Sequence, residues 1–65
     1  MKGKIIGLRL RKLRGDRSIA TIANQIGISK SALAMYERGE RIPRDEIKIK
    51  IAKYYGVSVL DIFFT

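Results

Sequence analysis

The sequence predicts a single all-α domain of five short helices within 65 residues. In successive segments, apolar residues recur three or four positions apart, which is the spacing of one helical face. A glycine follows each of the first four segments and suits the left-handed conformation in which helices commonly end: Gly15, Gly27, Gly39 and Gly56. Positions 47–51 alternate as a strand would. The sequence offers this segment no second strand, and a lone strand is unstable.

The first predicted helix has one apolar and one basic face. Ile6, Leu10 and Leu13 lie at i, i+4 and i+7, so they share a face. The residues between them make the opposite face basic: Arg9, Arg11, Lys12 and Arg14. Gly15 is expected to end this helix.

The second and third predicted helices follow each other closely. Ser18 offers its hydroxyl as an N-cap of the second helix, and Ser29 does so for the third. Because Gly27 stands only two residues before Ser29, the turn between the helices is about three residues long. The third helix is predicted from Lys30 to about Arg38. The inward residues are expected to be Ile22, Ala23 and Ile26 in the second helix, and Leu33 and Tyr36 in the third.

The fourth segment is predicted to be a helix despite its alternating pattern. Pro43 precedes it, Asp45 and Glu46 are acidic where a helix would begin, and Lys53 is basic where it would end. The apolar residues that share one helical face are Ile47, Ile51, Tyr54 and Tyr55, which leaves Ile49 outside the face.

The composition argues against catalysis and favours a polyanionic partner. The chain has 14 Lys and Arg against 6 Asp and Glu, a formal charge of +8, and neither Cys nor His. Without these two residue types we expect no disulfide, no metal site, no cofactor and no enzyme. A domain this basic is expected to bind nucleic acid, and a merely solvated basic surface is the alternative. No apolar stretch is long enough for a signal peptide or a membrane span, so a cytoplasmic protein is expected.

Residues 18–38 carry the most informative pattern. Two short helices joined by a tight turn need a small residue where they meet, a glycine in the turn, and apolar residues at fixed offsets. Ala23 is the small residue, and it precedes Gly27 by four positions. The apolar set is Ile22, Ile26, Ile28, Leu33 and Tyr36. This pattern predicts a helix-turn-helix.

The sequence closely resembles the Cro/lambda-repressor-like family, also called the XRE-type helix-turn-helix family. The resemblance covers about residues 5–64 and is carried by LRLRKLR at 8–14, IANQIGISKS at 22–31, YERG at 36–39 and IAKYYGVS at 51–58. It implies a five-helix domain whose recognition helix spans about residues 29–38. It also implies binding to double-stranded DNA as a homodimer on a palindromic operator, usually as a transcriptional repressor of the phage or plasmid type.

The outward face of the third helix is the predicted base-reading surface. An α-helix fits the major groove, where Lys30 can donate to guanine and Ser31 can bond a base or a phosphate. Ala34 and Met35 can contact a thymine methyl. The resemblance implies base-reading roles for Lys30, Ser31 and Met35. The alternative for Lys30 is a contact to phosphate alone.

A second group of residues is predicted to contact the DNA backbone. Ser29 is first of all a helix cap, but the helix start that it caps can approach a phosphate. The resemblance places the loop after the third helix beside the sugar-phosphate backbone. The predicted backbone contacts are Ser18, Ser29, Arg38, Arg41 and Arg44.

Glu37 requires a cationic partner inside the protein, because DNA would repel an outward carboxylate. The resemblance implies a structural pair with an arginine of the first helix, for which Arg14 is the chosen candidate. Arg9 and Lys12 remain alternative partners.

The C-terminal end is densely apolar. Ser58 and Asp61 form a capping-box pattern for a fifth helix that runs to about residue 63. Val57, Leu60 and Ile62 are expected in the core. Adjacent phenylalanines on a short helix cannot both face one core, so one of Phe63 and Phe64, with Ile49, is a candidate for the dimer interface.

Two other functions remain open from the sequence. An antitoxin or accessory module that binds another protein would use the same fold. Basic amphipathic helices on an anionic membrane are a weaker alternative, because surface helices need no tight turn. No small-molecule ligand is expected.

Overall fold

In the computed structural model, which describes residues 2–64, the chain forms five α-helices. They are α1 (Lys2–Arg14), α2 (Ile19–Ile26), α3 (Lys30–Glu37), α4 (Asp45–Tyr55) and α5 (Val59–Phe63). The described residues contain no strand. The predicted all-α fold is therefore confirmed, and the alternating segment at 47–51 is helical.

Serine side chains start three of the helices, as the sequence predicts. The hydroxyls of Ser18 and Ser29 each accept a hydrogen bond from the backbone N–H three residues on, both at 3.0 Å. Ser58 and Asp61 form a reciprocal capping box at the start of α5, with both bonds at 3.1 Å. Each bond satisfies a backbone donor that has no partner within the helix, which fixes where the helix begins.

The turn between α2 and α3 consists of residues 27–29. Gly27 adopts a left-handed φ of 94°, which the absence of a Cβ permits. The carbonyl of Ala23 accepts hydrogen bonds from the N–H groups of both Gly27 and Ile28, at 2.9 and 3.0 Å. The chain therefore leaves α2 abruptly, and α3 packs across it.

One hydrophobic core joins all five helices. The predicted inward residues of α1, α2 and α3 are buried except Leu13, and α4 and α5 each add two buried residues to the core. The buried apolar residues are Ile6, Leu10, Ile22, Ala23, Ile26, Leu33, Tyr36, Ile51, Ala52, Ile62 and Phe63. The predicted partners Leu13, Ile47, Tyr54 and Tyr55 are half-buried against them.

One expectation for the C-terminal end was wrong: Leu60 was predicted in the core but is 67% exposed. One of the two adjacent phenylalanines was expected outside the core, and because Phe63 is buried it is no longer a candidate for the dimer interface. The reason is the rotation of α5, whose inward side is set by Ile62 and Phe63. Leu60 lies about 110° around the helix from the midpoint between Ile62 and Phe63, and its side chain is therefore turned to the solvent. Phe64 is the exposed phenylalanine, at 49%.

A close backbone approach, not predicted from the sequence, joins α1 to the end of α3. A Cβ added to Gly7 would lie 2.3 Å from the carbonyl oxygen of Glu37. A Cβ on Gly3 would lie 2.9 Å from the carbonyl oxygen of Gly39. The sequence feature that indicates this packing is a pair of glycines four positions apart on one helical face. Only glycine lets the two segments pack at this distance.

Candidate DNA-binding surface

The exposed side of α3 brings the four predicted base-reading residues together. Lys30 and Ser31 are exposed in the first turn, and Ala34 and Met35 are half-buried one turn later. Residues four apart are neighbours on a helix surface, so these side chains form one patch. The opposite side of the helix is anchored by residues of the core, Leu33 and Tyr36 among them. The patch, named here the α3 patch, consists of Lys30, Ser31, Ala34 and Met35.

Four of the five predicted backbone contacts fall into two groups. Ser18 and Ser29 use their hydroxyls as helix caps, so the side chains are engaged within the protein. Arg41 and Arg44 lie exposed in the loop between α3 and α4. These two guanidinium groups are presented to the solvent close in sequence to the end of α3.

Arg38 has a partner that was not predicted from the sequence. Its Nε lies 2.9 Å from Oε2 of Glu40 and its Nη2 lies 3.1 Å from Oε1, so the pair is bidentate. Both side chains are more than half exposed. The hydrogen bond from Arg38 lowers the pKa of Glu40, and the same bond raises the pKa of Arg38. The sequence feature that indicates this pair is a glutamate two positions after the arginine, with a glycine between them.

An ion pair between Arg14 and Glu37 joins the end of α1 to the end of α3. Nε of Arg14 donates to Oε2 of Glu37 at 2.8 Å and Nη2 donates to Oε1 at 2.9 Å. The side chains are only 14% and 7% exposed. The hydrogen bond with Glu37 raises the pKa of Arg14 against the opposing effect of burial. Glu37 is therefore engaged with α1, and its partner is the arginine chosen from the sequence.

The alternative partner Arg9 has a different contact. Its Nη1 donates to the backbone carbonyls of Ile62 at 3.2 Å and Phe64 at 2.9 Å. This contact fastens the end of α5 to α1.

The tyrosines of α4 support α2 and the turn that precedes it. The hydroxyl of Tyr54 donates to the side-chain carbonyl of Gln25. The guanidinium carbon of Arg17 lies 5.9 Å from the ring centroid of Tyr55, a cation–π distance. Burial raises the pKa of Tyr55, and the nearby charge of Glu37 adds to the effect. These contacts hold both the segment before α2 and the last turn of α2 against α4.

Metal-binding clusters and membrane-spanning helices are both absent from residues 2–64. That part of the chain holds no group of three or more side chains of the types that ligate metal ions. None of its helices is both long enough and apolar enough to cross a membrane.

The fold and the α3 patch define a class of protein, the small helix-turn-helix domain. A family model described as helix-turn-helix matches residues 8–62, so the chain belongs to the helix-turn-helix family. The resemblance seen in the sequence is thereby confirmed.

Two relatives are similar over much of this chain. The transcriptional repressor RstR of the cryptic phage CTXphi in Vibrio cholerae is 36% identical over 56 residues, which are 83% of this chain and 50% of the repressor. An uncharacterised helix-turn-helix transcriptional regulator of Methanocaldococcus jannaschii is 36% identical over 42 residues, which are 65% of this chain and 64% of that protein. The chain thus spans half of the first relative and less than two thirds of the second. No solved structure matches this chain.

Proposed function

We propose that this protein is a sequence-specific, double-stranded DNA-binding transcriptional repressor that acts in the cytoplasm as a homodimer on a palindromic operator. The observation that carries the proposal is the α3 patch, in which two exposed donor side chains and two half-buried apolar ones lie on a helix whose other side packs in the core. A net charge of +8 favours a polyanionic partner. The printed name of the Vibrio cholerae relative, a transcriptional repressor, supports the regulatory role.

In the proposed complex, α3 lies in the major groove with its first turn at the base edges. The ammonium group of Lys30 donates to O6 or N7 of a guanine, and the hydroxyl of Ser31 bonds a base or a phosphate. The methyl groups of Ala34 and Met35 contact thymine methyls. Arg41 and Arg44 neutralise phosphates beside the groove, which positions the helix without specifying sequence.

Selection of bound duplexes from a random pool tests this proposal. We expect enrichment of an inverted repeat with half-sites about one helical turn, ~34–36 Å, apart, because each protomer of a dimer reads one half-site. Enrichment of no sequence, together with binding that only falls with added salt, would contradict a specific repressor. Charge alone would then account for the affinity.

Replacing Lys30 with alanine separates base reading from backbone binding. We expect Lys30→Ala to lose about 1–3 kcal/mol of discrimination at one base position of each half-site. Arg41→Ala is the matched comparison. It should weaken binding to all duplexes alike and reduce the salt slope by about 0.9 for each phosphate that is no longer neutralised. Fluorescence anisotropy with the selected duplex and with single-base variants measures both. Equal weakening on every duplex for Lys30→Ala would assign Lys30 to phosphate.

A homodimer is supported by an apolar surface where α4 meets α5. Ile49, Leu60 and Phe64 are 58%, 67% and 49% exposed. A groove of about 350 Å³ lies between the two helices and is lined by Asp45, Lys48, Ile49, Val59 and Phe64. Ile49 and Phe64 are large exposed apolar side chains on one groove, which favours burial against a partner.

The substitution Phe64→Asp tests this interface. We expect sedimentation equilibrium to show a dimer for the unaltered chain and a monomer for Phe64→Asp, because the new carboxylate cannot be buried unpaired. Ile42→Asp, at another exposed apolar residue, is the control and should leave the mass unchanged. An unchanged mass for Phe64→Asp would remove this surface from the dimer.

A further inference from the structure

A basic groove lies at the end of α3 remote from its first turn. The groove has a volume of about 700 Å³ and lies between the first residues of α1 and the loop that follows α3. Its walls carry four cationic side chains: Lys2, Lys4, Arg38 and Arg41. Of the described residues that line it, only Glu40 is acidic.

Backbone packing between two glycines builds this groove. A Cβ placed on Gly39 would lie 2.9 Å from Cα of Lys4 and 3.0 Å from the carbonyl of Gly3, so the two segments touch along their main chains. Lys2 and Lys4 flank the first glycine, and Arg38 and Glu40 flank the second. The charged side chains on either side of the glycine contact therefore line the two walls of one groove.

The bidentate pair of Arg38 and Glu40 indicates what the groove accepts. The fork of a guanidinium group binds a carboxylate and a phosphate with the same two-bond geometry. The carboxylate of Glu40 occupies that fork, and both side chains are more than half exposed. Exposed ion pairs contribute little to stability, so a phosphodiester that also meets Lys2, Lys4 and Arg41 can displace Glu40 at small cost.

We propose that the groove is a second phosphate site, in which Lys2 and Lys4 bind the DNA backbone beyond the bases that α3 reads and Glu40 competes for Arg38. The inference rests on the proposed DNA binding and extends it to the first turn of α1. Glu40 then lowers the affinity for every duplex alike, because every duplex must displace it. The α3 patch supplies the sequence preference, and the groove supplies affinity that is independent of sequence.

The double variant Lys2→Gln/Lys4→Gln tests this site by salt titration. The slope of log K against log salt is expected to become shallower by about 0.9 for each phosphate that the variant no longer binds, equally for the selected and a scrambled duplex. The control is Lys12→Gln/Lys53→Gln, which removes the same charge from exposed positions elsewhere on α1 and α4. Thermal unfolding of both variants checks that the fold is retained.

The substitution Glu40→Gln is expected to change the affinity for DNA in the opposite direction. This variant should bind both duplexes more tightly than the unaltered chain, with the preference for the selected duplex unchanged. Equal slopes for Lys2→Gln/Lys4→Gln and the control pair would overturn the phosphate site, and so would weaker or unaltered binding by Glu40→Gln. Absence of sequence preference in the unaltered chain would instead overturn the proposed repressor, while the slope difference would still establish the groove. Failure to bind any duplex would overturn both.

Discussion

Replacing Gly7 with alanine is expected to lower the free energy of unfolding by about 3 kcal/mol, the upper part of the range for overpacking. The new Cβ would stand 2.3 Å from the carbonyl oxygen of Glu37. The obstacle is backbone at the end of α3, so no side chain can rotate away and α1 must move off. A domain of this size has a total stability of about 3–10 kcal/mol by per-residue scaling, so the expected loss is roughly a third of the total or more.

Urea denaturation of Gly7→Ala measures this effect. The sign of the change in the free energy of unfolding shows whether the new Cβ is obstructed. Glycine to alanine inside an unobstructed helix usually stabilises by about 0.5–1 kcal/mol. Gly15→Ala is the control, because no atom stands near its new Cβ and only the left-handed φ of 63° opposes it. Its cost should be about 1–2 kcal/mol. A Gly7→Ala variant as stable as the unaltered chain would contradict the close packing of α1 on α3.

The second large effect is expected from Arg14→Met. Removing the guanidinium leaves the carboxylate of Glu37, which is 7% exposed, without its bidentate partner. Breaking a buried pair from one side costs about 3–5 kcal/mol, and the partial exposure of Arg14 places this pair near the lower limit. Both α1 and the end of α3 should lose their alignment.

A double-mutant cycle shows whether the destabilisation belongs to the pair. Arg14→Met/Glu37→Met removes both charges, and apolar replacements of buried pairs are often neutral. We therefore expect the double variant to be more stable than Arg14→Met alone, by urea denaturation. Additive destabilisation would show that the two side chains contribute separately, which would contradict a coupled pair.

The local signals in the sequence were sufficient to predict the helices and the shape of the helix-turn-helix. Ser18, Ser29 and Ser58 each bond a backbone N–H a few residues away, so short-range chemistry decides where these helices begin. The acidic start and basic end of α4 likewise indicated a helix, although its isoleucines alternate as in a strand. The contact between Arg14 and Glu37 was anticipated by resemblance, since nothing local in the sequence joins residues 23 positions apart.

Features that depend on the relative placement of helices were not predicted from the sequence. Leu60 faces outward because contacts with α1 and α4 set the rotation of α5, which its own five residues do not determine. The packing of Gly3 and Gly7 against the end of α3 is a long-range contact between main chains. The pair of Arg38 and Glu40 depends on how the loop folds back after Gly39. The basic groove follows from the last two features together.

The most direct test of the proposed function is an NMR measurement of intermolecular NOEs in the complex with the selected duplex. We expect the methyl groups of Ala34 and Met35 to show NOEs to thymine methyls and other major-groove protons, since both lie in the α3 patch. NOEs from the DNA to other helices, with none from Ala34 or Met35, would contradict the placement of α3 in the major groove.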